Sequence, residues 1–249
     1  MRALVLSPLL LLFMLSVNAA TLIEREDEFM GVSKMWVDGN NMRVETDGDG
    51  SYMVVKFADK QIFIVDQKRR EIIDASEMLN KTINTEGLDV QVKRSGKGPV
   101  IAGYPTRKYD FMVNGHRCEQ SLVSMKALKD SGLESMIESL SRIDFDPRGD
   151  QFKNPCEKAD AIFALTMKKI GLPLAELDGR GRISDKIIRI KKNSKLPSGE
   201  FERPSGYRSV SLQQVMKELP QRFMEETMEQ MSPEQKKAVE EMLRQQGPQ

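Results

Sequence analysis

Between residues 33 and 76 short apolar runs alternate with turn residues. Residues 34–37 lead into Asp38-Gly39-Asn40-Asn41, and residues 42–46 into Asp47-Gly48-Asp49-Gly50, two hairpin signals. Residues 52–57, 61–65 and 71–75 continue the series with equally tight connections. Such spacing predicts an antiparallel meander, because a parallel sheet needs crossovers of about a dozen residues or more. Residues 88–93 and 99–101 read as further strands about a turn at Ser95-Gly96-Lys97-Gly98. Residues 104–113 and 116–123 pair across Asn114-Gly115, the strongest hairpin signal in the chain. In the first arm of that hairpin Tyr109, Phe111 and Val113 share a face.

At Met125 the period changes. Leu128, Leu133, Met136, Ile137, Leu140 and Ile143 recur at helical spacing, with Gly132 as a weak point. A loop containing Pro147 and Gly149 leads to Asn154-Pro155-Cys156-Glu157, which supplies a cap, a proline at the first helical position and an acid at the third. The helix that follows carries Ile162, Phe163, Thr166, Met167 and Ile170 on one side and ends at Gly171. Strand chemistry returns over residues 183–190. From Ser211 onward the chain reads as helix, with Leu212, Val215, Leu219, Phe223, Met228 and Met231 as its stripe. A restart at Ser232-Pro233-Glu234-Gln235 begins a second tail helix carrying Ala238, Val239, Met242 and Leu243. The predicted organisation is therefore residues 1–20, a domain over 21–210 with a helical insertion at about 125–170, and amphipathic helices over 211–249.

Residues 1–20 have the layout of a secretory signal peptide. Arg2 precedes an apolar run over residues 4–17, and Val17-Asn18-Ala19 or Asn18-Ala19-Ala20 offers small residues for cleavage. The run is shorter than the roughly 20 residues that span a bilayer. The expectation is a periplasmic protein, soluble and without a transmembrane segment once the leader is removed. Export changes the reading of Cys118 and Cys156, the two cysteines of the chain, from free thiols to a disulfide. A catalytic thiol beside His116 is the weaker alternative, since a Cys and a His two positions apart on a strand share a face but make no nucleophile site alone.

Charge removes other classes. The chain holds 38 Lys+Arg against 37 Asp+Glu, a balance that becomes equal when Arg2 goes with the leader. A nucleic-acid binder needs a basic excess to displace counterions, so none is expected as a partner. One histidine and two cysteines leave little from which to build a zinc site, and no metal or cofactor is predicted. There is no Gly-x-Ser-x-Gly elbow, phosphate-cradling glycine loop or His-Glu-x-x-His, so the chain is read as non-enzymatic, with no catalytic residues named. Among the 16 methionines, Met216, Met224, Met228, Met231 and Met242 lie in the tail, where helix packing is the default role and a copper(I) thioether cluster the rarer one.

Ile101-Ala102-Gly103-Tyr104-Pro105-Thr106-Arg107-Lys108-Tyr109, followed by a turn and a strand ending Ser121-Leu122-Val123-Ser124, resembles the AGYxxxxY hairpin of a group of exported bacterial domains of unknown function. Gly171-Leu172-Pro173-Leu174, the run Ile187-Ile188-Arg189-Ile190, and Phe201, Pro204, Gly206 and Tyr207 resemble the end of the same domains. In layout this group is similar to the LolA/LolB-like periplasmic lipoprotein carriers and receptors. The resemblance covers roughly residues 25–210 and implies an α+β fold: a curved antiparallel sheet, an incomplete barrel, whose concave face is covered by inserted helices. The C-terminal helical tail departs from that pattern. In such carriers the space under the helices holds acyl chains. Its candidate lining here is Val55, Phe57, Phe63, Tyr109, Phe111 and Val113 from the sheet, with Met136, Leu140, Phe163 and Met167 from the helices. The same residues packed on each other as a dry core is the commoner fate of apolar stripes. Two functions follow: a carrier of an apolar ligand such as an acyl chain or lipoprotein anchor, or a protein-interaction module that docks its partner through residues 211–249.

Overall fold

The computed structural model describes residues 19–28, 31–46, 48, 50–80, 86–143, 153–196 and 199–230. Twelve strands among them form one curved, open sheet. The meander expected from the turn pattern is present as β2 (Gly31–Asp38), β3 (Asn41–Thr46), β4 (Tyr52–Lys56), β5 (Gln61–Asp66) and β6 (Glu71–Asp74). It is preceded by β1 (Ala19–Asp27), in which Ala20 and Ile23 are buried. The hairpin at Asn114-Gly115 joins β8 (Tyr104–Val113) to β9 (His116–Ser124). Then come β10 (Leu172–Leu177), β11 (Ile183–Lys195) and β12 (Arg208–Ser211).

Between residues 90 and 101 the expected two short strands are a single long one, β7 (Val90–Ile101). Its glycines do not turn the chain. Register shifts against β8 fall at Arg94/Gly96 and Lys97/Val100, so the Gly-rich stretch bulges instead. At Gly98 a side chain would collide with Thr106 Oγ1, only 2.2 Å from where a Cβ would sit. The glycine is needed there for close approach of two strands.

The strand order is β12-β6-β5-β4-β3-β2-β1-β11-β10-β9-β8-β7. The meander β1–β6 and the block β7–β11 are thus joined along one seam, the antiparallel pairing of β1 with β11. One pair departs from the expected all-antiparallel arrangement: β12 runs parallel to β6, made possible because more than a hundred residues separate them in sequence.

The helical insertion is also broken more sharply than its periodicity suggests. Gly132 takes φ 78° and ends α1 (Met125–Ser131), whose N-cap is Ser124. A short 3-10 turn and α2 (Ile137–Leu140) follow. By contrast α3 (Pro155–Ile170) starts as its sequence dictates. Asn154 accepts from the backbone of Cys156 and Glu157, while Glu157 reaches back to the Asn154 N–H at 2.7 Å. The last described element is α4 (Leu212–Gln230), with Ser211 accepting from Gln214 N–H at 3.1 Å.

Cross-strand register assigns the faces, since paired residues share one. Val55 pairs with Ile62 and Met42, on the face where Ile143 and Leu140 pack. Val54 pairs with Phe63 on the opposite face, beneath Leu196, Phe201 and Tyr207. Both faces of this half are therefore covered, which explains why β4 and β5 read as nearly continuous apolar runs. Arg43, buried on the second face, lies 3.5 Å from the Tyr52 ring centroid and is neutralised by Glu45 and Glu200.

Candidate functional site

The ten residues proposed to line one apolar cavity are distributed over separate parts of the core. Phe111, Val113 and Phe163 pack together under α3, with Tyr109 at their edge. The rings of Phe111 and Phe163 meet edge to face, centroids 4.8 Å apart. Met136 is buried with Leu128, Leu133 and Ile137, and Met167 and Leu140 pack against that group. Val55 belongs to a third cluster, against which Phe57 and Leu140 also pack. Phe63 is turned to the other face of the sheet and shares no surface with the rest, a correction forced by its pairing with Val54. Phe57 alone borders a described pocket, about 390 Å³ between the β4–β5 turn and α2, shared with Lys60, Leu79, Ser135, Glu138, Ser139 and Arg142.

Cys118 and Cys156 form a disulfide, Cα atoms 5.5 Å apart, and so bind the first turn of α3 to β9. Cys118 falls at the register shift between Phe111 and Met112, where it joins the cluster containing Phe111 and Val113. His116 caps the exposed end of the same strand, so no thiol remains beside it.

A polar group that the sequence reading did not single out crosses four neighbouring strands. Arg25 on β1 donates from Nε to Asp185 on β11 at 3.1 Å and pairs with Glu176 on β10 at 3.2 Å. On β9, Glu119 accepts from Ser121, whose strand neighbour across the ladder is Glu176. Three carboxylates therefore share one guanidinium. Burial pushes the Glu176 carboxyl up to about 7, and the charges of Glu119 and Asp185 add to this while Arg25 opposes it. Burial also raises Glu119, against the hydrogen bond from Ser121. Desolvation works against the charge of Arg25, but its bonds to Asp185 outweigh that and hold the guanidinium above its ordinary value. Beside the group, at the strand ends, lies an open pocket of about 410 Å³ lined by Glu26, Asp27, Glu28, Asp178, Arg182 and Asp185 among others. Its walls are charged, unlike an acyl site.

No family model and no curated protein matches the chain. Solved structures with a similar course include PNGF-II, at 11% identity and TM-score 0.40, covering 80% of this chain and 32% of that one. The Pseudomonas aeruginosa MucA/MucB complex matches at 11% identity and TM-score 0.41, covering 79% of this chain and 59% of that one. MucB crystallised alone matches at 10% identity and TM-score 0.38, with 78% and 60% covered. The chain spans about a third of the first and less than two thirds of the others.

The described part of the tail is anchored to the sheet through Arg222. Arg222 of α4 donates to Glu71 of β6 at 2.8 Å, and both side chains are almost fully buried. Arg208 of β12 binds the other Glu71 oxygen, and Glu218 also holds Arg222. Burial favours a neutral Glu71, but the two arginines prevail and keep its carboxyl below the ordinary range. Along α4, Leu212 packs on the core while Met216 and Leu219 are exposed, at 37% and 49%. The side chains of Phe223, Met224 and Met228, with Met231, Met242 and the helix restart at Ser232, lie outside the described residues, as do residues 1–18 and the loop with Pro147 and Gly149. Among the described residues no helix is long and apolar enough to cross a membrane.

Replacing Arg222 by Ala is expected to cost about 1–3 kcal/mol, because Glu71 keeps Arg208 but loses one of its two charged donors. The loss should appear first as detachment of α4. Limited proteolysis would show it as faster cleavage in residues 203–215, and an unchanged digestion rate would contradict the anchoring role.

Proposed function

We propose that this is an exported, non-enzymatic binding protein whose curved sheet is a scaffold and whose partner is a protein, contacted through the outward face of α4. The observation that carries this reading is the burial of the side chains expected to line a ligand space. Phe111, Val113 and Phe163 pack on each other, Met136 packs in the cluster of Leu128, Leu133 and Ile137, and all four are at most 8% exposed. Side chains buried in this way support a packed core rather than a chamber for a chain of methylenes. A helix anchored by a buried ion pair yet exposing Met216 and Leu219 supports a contact element held in a defined position. Flexible methionine surfaces suit partner recognition.

The test has two arms on the full-length protein. Lipid extraction and mass spectrometry of material purified from its natural host should find far less than one acyl lipid per chain. A stoichiometric acyl lipid would instead establish the carrier reading. In the second arm, paired Met216→Asp and Leu219→Asp substitutions should abolish capture of the protein that wild type retains from the same host, with folding unchanged by circular dichroism. Unaltered capture would remove α4 from the interface.

A further inference from the structure

Of the ladders in the sheet, the one between β10 and β11 is the shortest. It has three register pairs, Ala175↔Lys186, Glu176↔Asp185 and Leu177↔Ile183, with an irregularity between the last two. The ladder of β10 to β9 is interrupted between Pro173 and Ala175. The middle pair of the short ladder sets two carboxylates directly opposite each other, an arrangement that destabilises strand pairing when both are ionised. A third carboxylate, Glu119, stands on β9 at the other side of β10. A cation that bears on all three is Arg25, reaching across the seam from β1. Asp27, on the same strand, draws further on Arg25.

We propose that Glu176, placed between Glu119 and Asp185 and sharing Arg25 with them, is a proton-operated fastening of β10 to β11, next to the seam that joins the two halves of the sheet. With Glu176 protonated, the opposed pair carries one charge, Arg25 neutralises it, and the ladder closes. With Glu176 ionised, one guanidinium faces three carboxylates, and the ladder of three pairs carries the repulsion. Two neighbouring cations are paired with other acids: Lys186 binds Glu26 at 2.9 Å, and Arg182 binds Asp178 at 2.8 Å.

The direction of the pH dependence follows from linkage. The Glu176 carboxyl titrates near 7 in the folded sheet, against an ordinary 4.5, so the closed ladder holds an extra proton between those values. Closure is complete below the lower value and is lost as pH rises toward and past the upper one.

Hydrogen exchange of the full chain reads this locally. Amide protection in residues 172–177 and 183–187, corrected for intrinsic exchange, should fall about tenfold between pH 5.5 and pH 8 in wild type. Protection in β3–β5 should not change with it. Glu176→Gln, which imitates the protonated acid, should keep its full protection at pH 8. The same loss in the Gln variant, or equal wild-type protection at both pH values, would overturn the proposal. Carbon-13 carboxyl titration of Glu176 in wild type supplies an arm that needs no variant: a midpoint near 4.5 would overturn it equally.

Discussion

Phe163→Ala should destabilise the protein by about 3–5 kcal/mol, the usual cost of emptying an aromatic site in a packed core. The ring is 8% exposed and lies edge-on to Phe111, which is 2% exposed. Truncation removes that aromatic contact and leaves a void walled by Phe111, Val113 and Ala159, held in place by strand β8 and by the disulfide at the start of α3. These walls cannot collapse freely, so the cavity term should be paid nearly in full. Urea unfolding followed by far-ultraviolet circular dichroism measures the change. The result also decides between the two functions. If the space under α3 were an open ligand chamber, the ring would already face a void, and its removal would cost less than about 1 kcal/mol. A small value would therefore restore the acyl-carrier reading.

Removing the bridge, by paired Cys118→Ala and Cys156→Ala substitutions, should cost about 4 kcal/mol on the chain-entropy relation for a loop of this length. The bridge closes 38 residues of sequence separation, which include α1, α2 and the start of α3. In the unfolded chain that closure removes conformations, and the native state gains by comparison. The loss should fall mainly on α3, because Asn154 and the capping box then hold its first turn without a covalent tie to β9. Urea unfolding of the variant, and of wild type under reductant, should agree. A loss below about 1 kcal/mol in both would mean that the unfolded chain is already restricted without the bridge.

Elements governed by local chemistry were legible before the fold was known. The Asn114-Gly115 turn defines β8 and β9, and Asn154-Pro155-Cys156-Glu157 defines the start of α3, because turn and cap geometry involve residues a few positions apart. β1 was not legible. Its sequence, Ala19-Ala20-Thr21-Leu22-Ile23-Glu24-Arg25-Glu26-Asp27, follows the apolar run of residues 4–17 and ends in charges, and only pairing with β2 and β11 makes it a central strand. β10 was obscured in the same way by its length and by Pro173. β7 reads as two strands because Gly96 and Gly98 signal a turn by composition, although the pairing with β8 uses this stretch as bulges.

The carboxylate group shows the limit most clearly. Arg25 and Asp185 are 160 positions apart, and neither carries a motif. In a chain with 37 acids, single carboxylates at Glu119, Glu176 and Asp185 have no distinguishing spacing. Only the strand order, which places β9, β10, β11 and β1 side by side, makes them neighbours.

Read alone, the chain points to the α+β class, the antiparallel meander, the helical insertion and a bridge between its two cysteines, and it lacks a basic footprint. Each rests on residue type, on periodicity or on a short turn. Tertiary structure decides the rest. It turns Phe63 away from Val55, buries Met136 in one cluster and Phe111, Val113 and Phe163 in another, docks α4 through Arg222 on Glu71, and gathers three acids around Arg25. These outcomes depend on which strands lie side by side, and side-by-side order is set by long-range burial that no local window of sequence contains.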